Sequence, residues 1–262
     1  MLRSMYSGIS GMKNFQTKLD VIGNNIANVN TYGFKKGRVT FSDLYSQQIS
    51  GATGATGTRG GVNPRQVGLG AQLASIDTIY TPGSTQSTGR PLDLAITGDG
   101  YFQVKDPGGN ILFTRAGNFY FDENNGDIVN SDGYHLVGTG GKTPLNIPAD
   151  AESFSIGADG TISYIPAGGG TVNTSQKIEL MNFSNPGGLT KVGGNLFQES
   201  DNSGTATAMK NPKIQSGALE MSNVDLSEEF TEMIVAQRGF QANTKIITTS
   251  DEILQELVNL KR

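Results

Sequence analysis

Several segments of this 262-residue chain carry residue types used in catalysis or ligand binding, and each lacks a part that the chemistry requires. Gly138 to Thr143 reads GTGGKT, the tail of a loop that cradles phosphate with backbone amides and a lysine. Leu136 stands where that loop needs its first glycine, and Pro144 follows where its helix would begin. Asp122 to Asp127 reads DENNGD, which resembles a calcium loop, but its glycine falls at the fifth position instead of the sixth and Gly133 replaces the closing glutamate. Gly8-Ile9-Ser10-Gly11-Met12 lacks the last glycine of a nucleophile elbow. Two carboxylates for glycoside cleavage can meet in space from any two segments, but the chain has no tryptophan to stack a sugar. His135 is the single histidine, which excludes paired-histidine and three-histidine metal sites, and in SDGYHLV its position between Tyr134 and Leu136 is that of a strand residue. The absence of cysteine removes disulfides, thiol catalysis, zinc ribbons and iron–sulfur ligation together. The expectation is a protein with no catalytic residue, no metal site and no cofactor, and not an enzyme.

The elements around these segments suit assembly better. Met5, Ile9, Met12, Phe15, Leu19, Ile22, Ile26 and Val29 recur at steps of three and four, one narrow apolar stripe along a helix. Near the other end, Leu226, Phe230, Met233, Gln237, Phe240, Thr244, Ile247, Asp251, Leu254 and Val258 step by four and three as a coiled-coil seam does. One seam position is always apolar, and the other is polar at Gln237, Thr244 and Asp251. Ser222, Asn223 and Asp225 precede this run and Glu228, Glu229 and Glu232 open it, where negative charge suits the helix dipole; Lys261 and Arg262 follow its far end. Between the helices the pattern changes to short β-rich runs: Gln72–Tyr80, Leu92–Ile96, Tyr101–Lys105, Ile111–Arg115, Asn118–Asp122, Asp127–Asn130 and Tyr134–Val137. Asp99-Gly100, Pro107-Gly108-Gly109, Asn125-Gly126, Asp132-Gly133 and Asp159-Gly160 punctuate them as hairpin turns do. Residues 51 to 61, GATGATGTRGG, have no apolar anchor and are expected to form a flexible loop; Ala167 to Thr174 reads as a long hairpin loop.

These patterns predict an α+β chain in which a discontinuous N- and C-terminal helical coiled-coil domain (1–30 plus 217–262) flanks a mainly antiparallel all-β domain (71–216). Residues 31–70 form an extended connecting segment with a Gly-rich insertion. The turns of this middle account for much of the glycine excess, 36 residues at about twice the usual share of roughly 7%. A net charge of −4 and a pI near 5.1 offer no footprint for nucleic acid. The ends are electrostatic complements, with +4 over residues 1–50 and −4 over 216–262. No run of 18 apolar residues suggests a membrane span, and no signal-peptide pattern is read at the start.

Asn24-Asn25-Ile26-Ala27-Asn28-Val29-Asn30-Thr31-Tyr32-Gly33-Phe34-Lys35 closely resembles the NNIANxxTxGFK signature of the bacterial flagellar rod and hook family; Asn24, Asn25, Ala27, Asn28, Thr31, Gly33, Phe34 and Lys35 are the matching positions. Ser7 to Met12 fits the same pattern. Ser87 to Ile96 with Gly98 to Phe102, Phe113 to Phe119, Gly217 to Leu226 and Met233 to Arg238 resemble further family segments along the whole chain. The resemblance implies an axial tube in which the terminal helices of one subunit pair as a coiled coil and line the inside, with the β domain outside. It implies a homo-polymer joined to neighbouring axial proteins (the distal rod and the hook–filament junction), the hook cap and the export apparatus. The subunit would leave the cell unfolded without signal cleavage, with no nucleic acid and no membrane insertion. The seam residues Leu226, Phe230, Met233, Gln237, Phe240, Thr244, Ile247, Leu254 and Val258 would then carry self-assembly.

Within the family, Ile234 to Asn243 and the ending Leu257-Val258-Asn259-Leu260 are worded more like a hook protein. The chain length and the segment from about Ser46 to Gly70 are those of the distal rod. The reading favours the hook, a bendable extracellular joint that connects rod to filament and transmits torque; the alternative is the distal rod, a straight drive shaft in the basal body. From a different class, a secreted β-domain enzyme or adhesin with helical oligomerisation ends is a remote alternative.

Overall fold

A computed structural model of the chain describes residues 2–55, 57–123, 125–148, 150–168 and 170–260. The fold is α+β, with a helix near each end and short strands between them, every registered strand pair antiparallel. The chain divides into two compact units: one holds the two helices with Gly37–Asp77, the other holds Asn28–Lys36 and Thr78–Val224.

In the helical unit, α1 (Leu2–Ala27) stops two residues short of the last position of its apolar stripe, Val29. Asn28, Asn30 and Thr31 follow, whose side chains compete for backbone hydrogen bonds and favour a turn. The helix α2 (Leu226–Asn259) starts where the acidic cluster predicts: the Asp225 carboxylate accepts from the Ser227 amide at 2.8 Å and caps the first turn. Lys261 and Arg262 lie outside the described residues.

The two helices run antiparallel, since Gly8 faces Ile247, Gly11 faces Asn243, Phe15 faces Gly239 and Lys18 pairs with Glu232. Strand Gly37–Asp43 pairs with Ala71–Thr78, so a run that the sequence places in the β domain groups with the helices. Between these strands lies a hairpin, Ser46–Ser50 against Arg65–Gly68, fully exposed along both strands. The described residues of the Gly-rich run, 51–55 and 57–61, are at the far end of this hairpin. Thr53 and Val62 exchange backbone hydrogen bonds of 3.0 Å, a bridge that the expected flexible loop did not include. Backbone pairing needs no apolar anchor, which is why composition alone missed it.

The β unit is centred on a nine-stranded antiparallel sheet whose central hairpin is Tyr101–Lys105 with Ile111–Thr114. A three-stranded sheet, Ser153–Ile156, Thr161–Ile165 and Asn173–Lys177, lies beside it. Leu94, Ile96, Phe102, Val104, Leu136, Leu145, Ile162, Ile178 and Leu180 belong to one buried apolar core. A second core is aromatic: Phe113 meets Phe183 edge to face at 4.8 Å and Tyr101 meets Phe197 at 5.7 Å. The turn dipeptides fall between strands as expected, with Gly133 at φ 81° and Gly160 at φ 84°.

The segments with partial chemical motifs have structural roles. GTGGKT makes a short 3-10 turn closed by pairing of Gly138 with Lys142, with no helix behind it. DENNGD, described except for residue 124, is the turn between strands Tyr120–Phe121 and Ile128–Val129. His135 is a strand residue opposite Lys105, with Nδ1 3.9 Å from the Asp127 carboxylate. Ser10 lies on α1 and donates to the Ser7 carbonyl at 2.9 Å. Among the described residues no group of three His, Cys, Asp or Glu is placed to hold a metal, and no helix is long and apolar enough to cross a membrane.

Candidate assembly site

Two clusters stand out, one in each unit. In the helical unit, the line of α2 packed on α1 runs Glu229, Met233, Ala236, Phe240, Asn243, Ile247, Ser250 and Leu254, alternating steps of four and three. Met233, Phe240, Ile247 and Leu254 are four of the five positions in the always-apolar line of the expected seam, and all four are half-buried; the fifth is Leu226. Thr244 is half-buried too, its hydroxyl 3.3 Å from the Met12 sulfur. The remaining members of the expected seam, Leu226, Phe230, Gln237 and Val258, are exposed in this chain, as is Asp251. The second line facing α1 is instead the small and polar series Glu229, Ala236, Asn243 and Ser250.

Close approach explains that choice. A Cβ at Gly239 would sit 2.5 Å from the Phe15 ring, and one at Gly11 would sit 2.8 Å from the Asn243 amide oxygen. Glycines facing each helix let the backbones come nearer than a leucine seam would, and large residues are pushed to the flanks. Near the end of α1, Asn25 is buried and joins three groups. Its side-chain amide donates to the Gly37 carbonyl at 2.9 Å and to Glu229 at 3.1 Å, and its oxygen accepts from the Gly37 amide at 2.9 Å.

Displaced from the α1 contact, α2 carries uncovered apolar side chains on two flanks. Leu226, Phe230 and Ile234 lie on one. On the other, Val235, Ile246, Ile253 and Leu257 are 53%, 45%, 45% and 48% exposed, joined along the helix by Gly239 and Ala242. A helix with apolar flanks on both sides of its partner contact has surface to bury that one partner helix does not cover.

In the β unit, the other cluster is ionic and buried. Lys35 Nζ donates to Glu220 at 2.6 Å, and Arg115 donates to the other Glu220 oxygen at 2.9 Å. Their side chains are 0%, 3% and 1% exposed in the order Lys35, Arg115, Glu220. Each cation also has a backbone partner, Lys35 the Thr81 carbonyl at 2.9 Å and Arg115 the Gly98 carbonyl at 2.7 Å, while the buried Arg115 Nε has no hydrogen-bond partner. The Gly83 amide gives Glu220 a further bond at 3.0 Å. Burial pushes the Glu220 carboxyl up, but Arg115, Lys35 and the Gly83 amide outweigh it and hold the carboxyl below its usual range. For Lys35, burial wins over the pull of Glu220 and its pKa is lowered.

Each charge comes from a different motif: Lys35 from NNIANVNTYGFK, Arg115 from FTRAGNF and Glu220 from GALEMSNVDL. The sequence reading places Lys35 in a motif but does not join it to Arg115 or Glu220, and no local pattern could: Lys36 stands beside Lys35, Asp225 shares the motif of Glu220, and Arg115 lies between Thr114 and Ala116. Gly33 is fixed by the same junction. It has φ 69°, its amide donates to the Glu220 carbonyl at 2.8 Å, and a Cβ there would lie 2.7 Å from the Arg115 and Ala116 backbone. Of the other motif positions, Thr31 donates to the Asn28 side chain at 3.1 Å, Phe34 lies under the Lys191 ammonium at 5.4 Å, and Asn24 and Ala27 are exposed on α1.

The described residues thus offer a glycine-apposed helix pair, a hairpin exposed along both strands and a buried ionic junction. Comparison with known proteins assigns the chain to a class. Three family descriptions match along its length: "Flagella basal body rod protein" over residues 5–35, "Flagellar hook protein FlgE/F/G D1 domain" over 95–164 and "Flagellar basal body rod FlgEFG protein C-terminal" over 215–260. The chain is 62% identical over 268 aligned positions to the flagellar basal-body rod protein FlgG of Bacillus subtilis (strain 168), with 100% of both chains covered. It is 39% identical to FlgG of Caulobacter vibrioides, covering 99% of this chain and 100% of the relative. It is 33% identical to the flagellar hook protein FlgE of Borreliella burgdorferi, 100% of each covered, over an alignment of 442 positions. The chain belongs to the flagellar rod and hook family, and it is a structural flagellar protein, not an enzyme.

The comparisons favour the rod over the hook that the C-terminal wording suggested. One C-terminal family description spans rod and hook members alike, so that wording does not separate them. Identity to the rod relative is nearly twice that to the hook relative, whose alignment is far longer than this chain.

Proposed function

We propose that this protein is a distal-rod subunit of the flagellar basal body, which polymerises into a straight tube through its terminal helices. The observation that carries the reading is its 62% identity, over the full length of both chains, to a basal-body rod protein. The uncovered flanks of α2 support the polymer. Val235, Ile246, Ile253 and Leu257 on one side and Leu226, Phe230 and Ile234 on the other are surface for helices of neighbouring copies. In that arrangement the exposed seam residues Phe230, Gln237 and Val258 meet another copy, while Met233, Phe240, Ile247 and Leu254 serve the intrachain pair. The exposed hairpin at 46–68 is a further contact between copies, and adjoining axial proteins meet the ends of the tube. The test is deletion of the gene followed by electron cryotomography of the cells. A rod that ends early, with hook and filament both missing, is expected; a full-length rod lacking only the hook would return the reading to the hook.

A further inference from the structure

The junction of Lys35, Arg115 and Glu220 bears on how the β unit closes. Both cations belong to segments well before the last strands, and the carboxylate that faces them belongs to the last strand of the unit. Ile214–Ser216 pairs with Leu94–Ile96, seating Ile214 in the main core, and Ala218–Glu220 pairs with Thr85–Ser87. Until these strands dock, the Lys35 ammonium has only the Thr81 carbonyl and the Arg115 guanidinium only the Gly98 carbonyl.

Other charged and titratable groups around the junction do not substitute. Asp99, the other carboxylate acting on Lys35, is exposed. The phenols of Tyr80 and Tyr101 are held neutral by burial, and Lys191, which approaches the Lys35 carbonyl at 3.5 Å, adds a third positive charge. Two cations enclosed without their anion are strongly unfavourable, and an open chain avoids that by leaving them in water.

We propose that Glu220 is a latch: the β unit closes in one step with the docking of residues 214–222, and it stays open while that carboxylate is absent or uncharged. The device makes closure of a unit that begins at Asn28 depend on a residue near its other end. A chain delivered N-terminus first is thereby kept open until Glu220 arrives, whatever core residues are already present. The backbone bonds from the Gly33 amide to the Glu220 carbonyl and from the Gly83 amide to the Glu220 carboxylate join both flanking segments to the same strand, so that docking is concerted.

The test uses the full-length chain and amide hydrogen exchange in Tyr101–Lys105 and Ile111–Thr114. Glu220→Gln keeps the shape and one acceptor but removes the charge. Its core amides are expected to lose protection by about a hundredfold or more, the cost of stranding one side of a buried pair. The triple variant Lys35→Met, Arg115→Met, Glu220→Leu removes all three charges and should return to within about tenfold of the parent protein. Protection in Glu220→Gln within about threefold of the parent would overturn the latch, as would a triple variant as open as the single one. If Glu220→Gln cannot be recovered folded, the parent and the triple variant are compared as pH falls. The parent should open through the titration of Glu220 while the triple variant stays closed; the two opening together overturns the proposal.

Discussion

The uncovered flank of α2 sets a quantitative expectation for assembly. Fully burying a Val, Ile or Leu side chain is worth roughly 1.5–3 kcal/mol, so covering residues that are 45% to 53% exposed returns about 1 kcal/mol each. Ile246→Ala with Ile253→Ala removes two of the four such side chains. They stand two turns apart, about 10 Å along the helix, far enough for their effects to add. The pair should therefore cost about 2 kcal/mol per subunit contact, or about a thirtyfold rise in the concentration needed for assembly. Alanine is the best helix former, and neither residue lies in the α1 contact, so the dilute monomer should keep its helix content. Sedimentation across a concentration series reads the assembly threshold, and circular dichroism of the monomer is the control. A double variant that assembles at the parent concentration would refute the assignment of this flank to a neighbouring copy.

Other expectations follow from the same geometry. Gly23 on α1 has open space where a Cβ would stand, so Gly23→Ala should stabilise by about 1 kcal/mol, whereas Gly239→Ala drives a methyl into Phe15 and should lose about 1 kcal/mol net; denaturation followed at the helix signal separates the two. Asn25→Ala strips partners from both backbone groups of Gly37 and from Glu229 and should cost about 2–4 kcal/mol in the same assay. The pH dependence has opposite signs at its two ends. Glu220 is held below its ordinary 4.5 when folded, so its contribution is complete above that value and is lost as pH falls through the lower, folded one. Lys35 is held below 10.5 when folded, so through Lys35 stability increases as pH rises from the lowered value toward 10.5; melting curves of the parent against Lys35→Met check that sign.

Local pattern was the readable part of this fold. The spacing of α1, the acidic opening of α2 and the turn dipeptides Asp132-Gly133 and Asp159-Gly160 each specify backbone through neighbours in sequence, and the structure has those elements there, with α1 ending two residues before the last position of its stripe. The face of α2 that meets α1 was less legible. Apolar residues lie around much of the helix, so Leu226 and Phe230 fit a seam in sequence as well as Met233 does, and only Gly239 and Ala236 mark where another backbone comes close. The hairpin at 46–68 rests on backbone pairing that leaves no hydrophobic trace. The ionic junction was hidden for another reason: Lys35, Arg115 and Glu220 are distant in the chain, and each shows its partner only after the fold brings the segments together.

The most direct test of the central claim is the shape of the polymer. The purified chain, assembled in vitro and viewed in negative stain, should give straight, stiff tubes, as a distal-rod subunit built through its helices requires. Long tubes that curve and bend would contradict the rod assignment, and failure to polymerise at any concentration would contradict assembly through the uncovered flanks of α2.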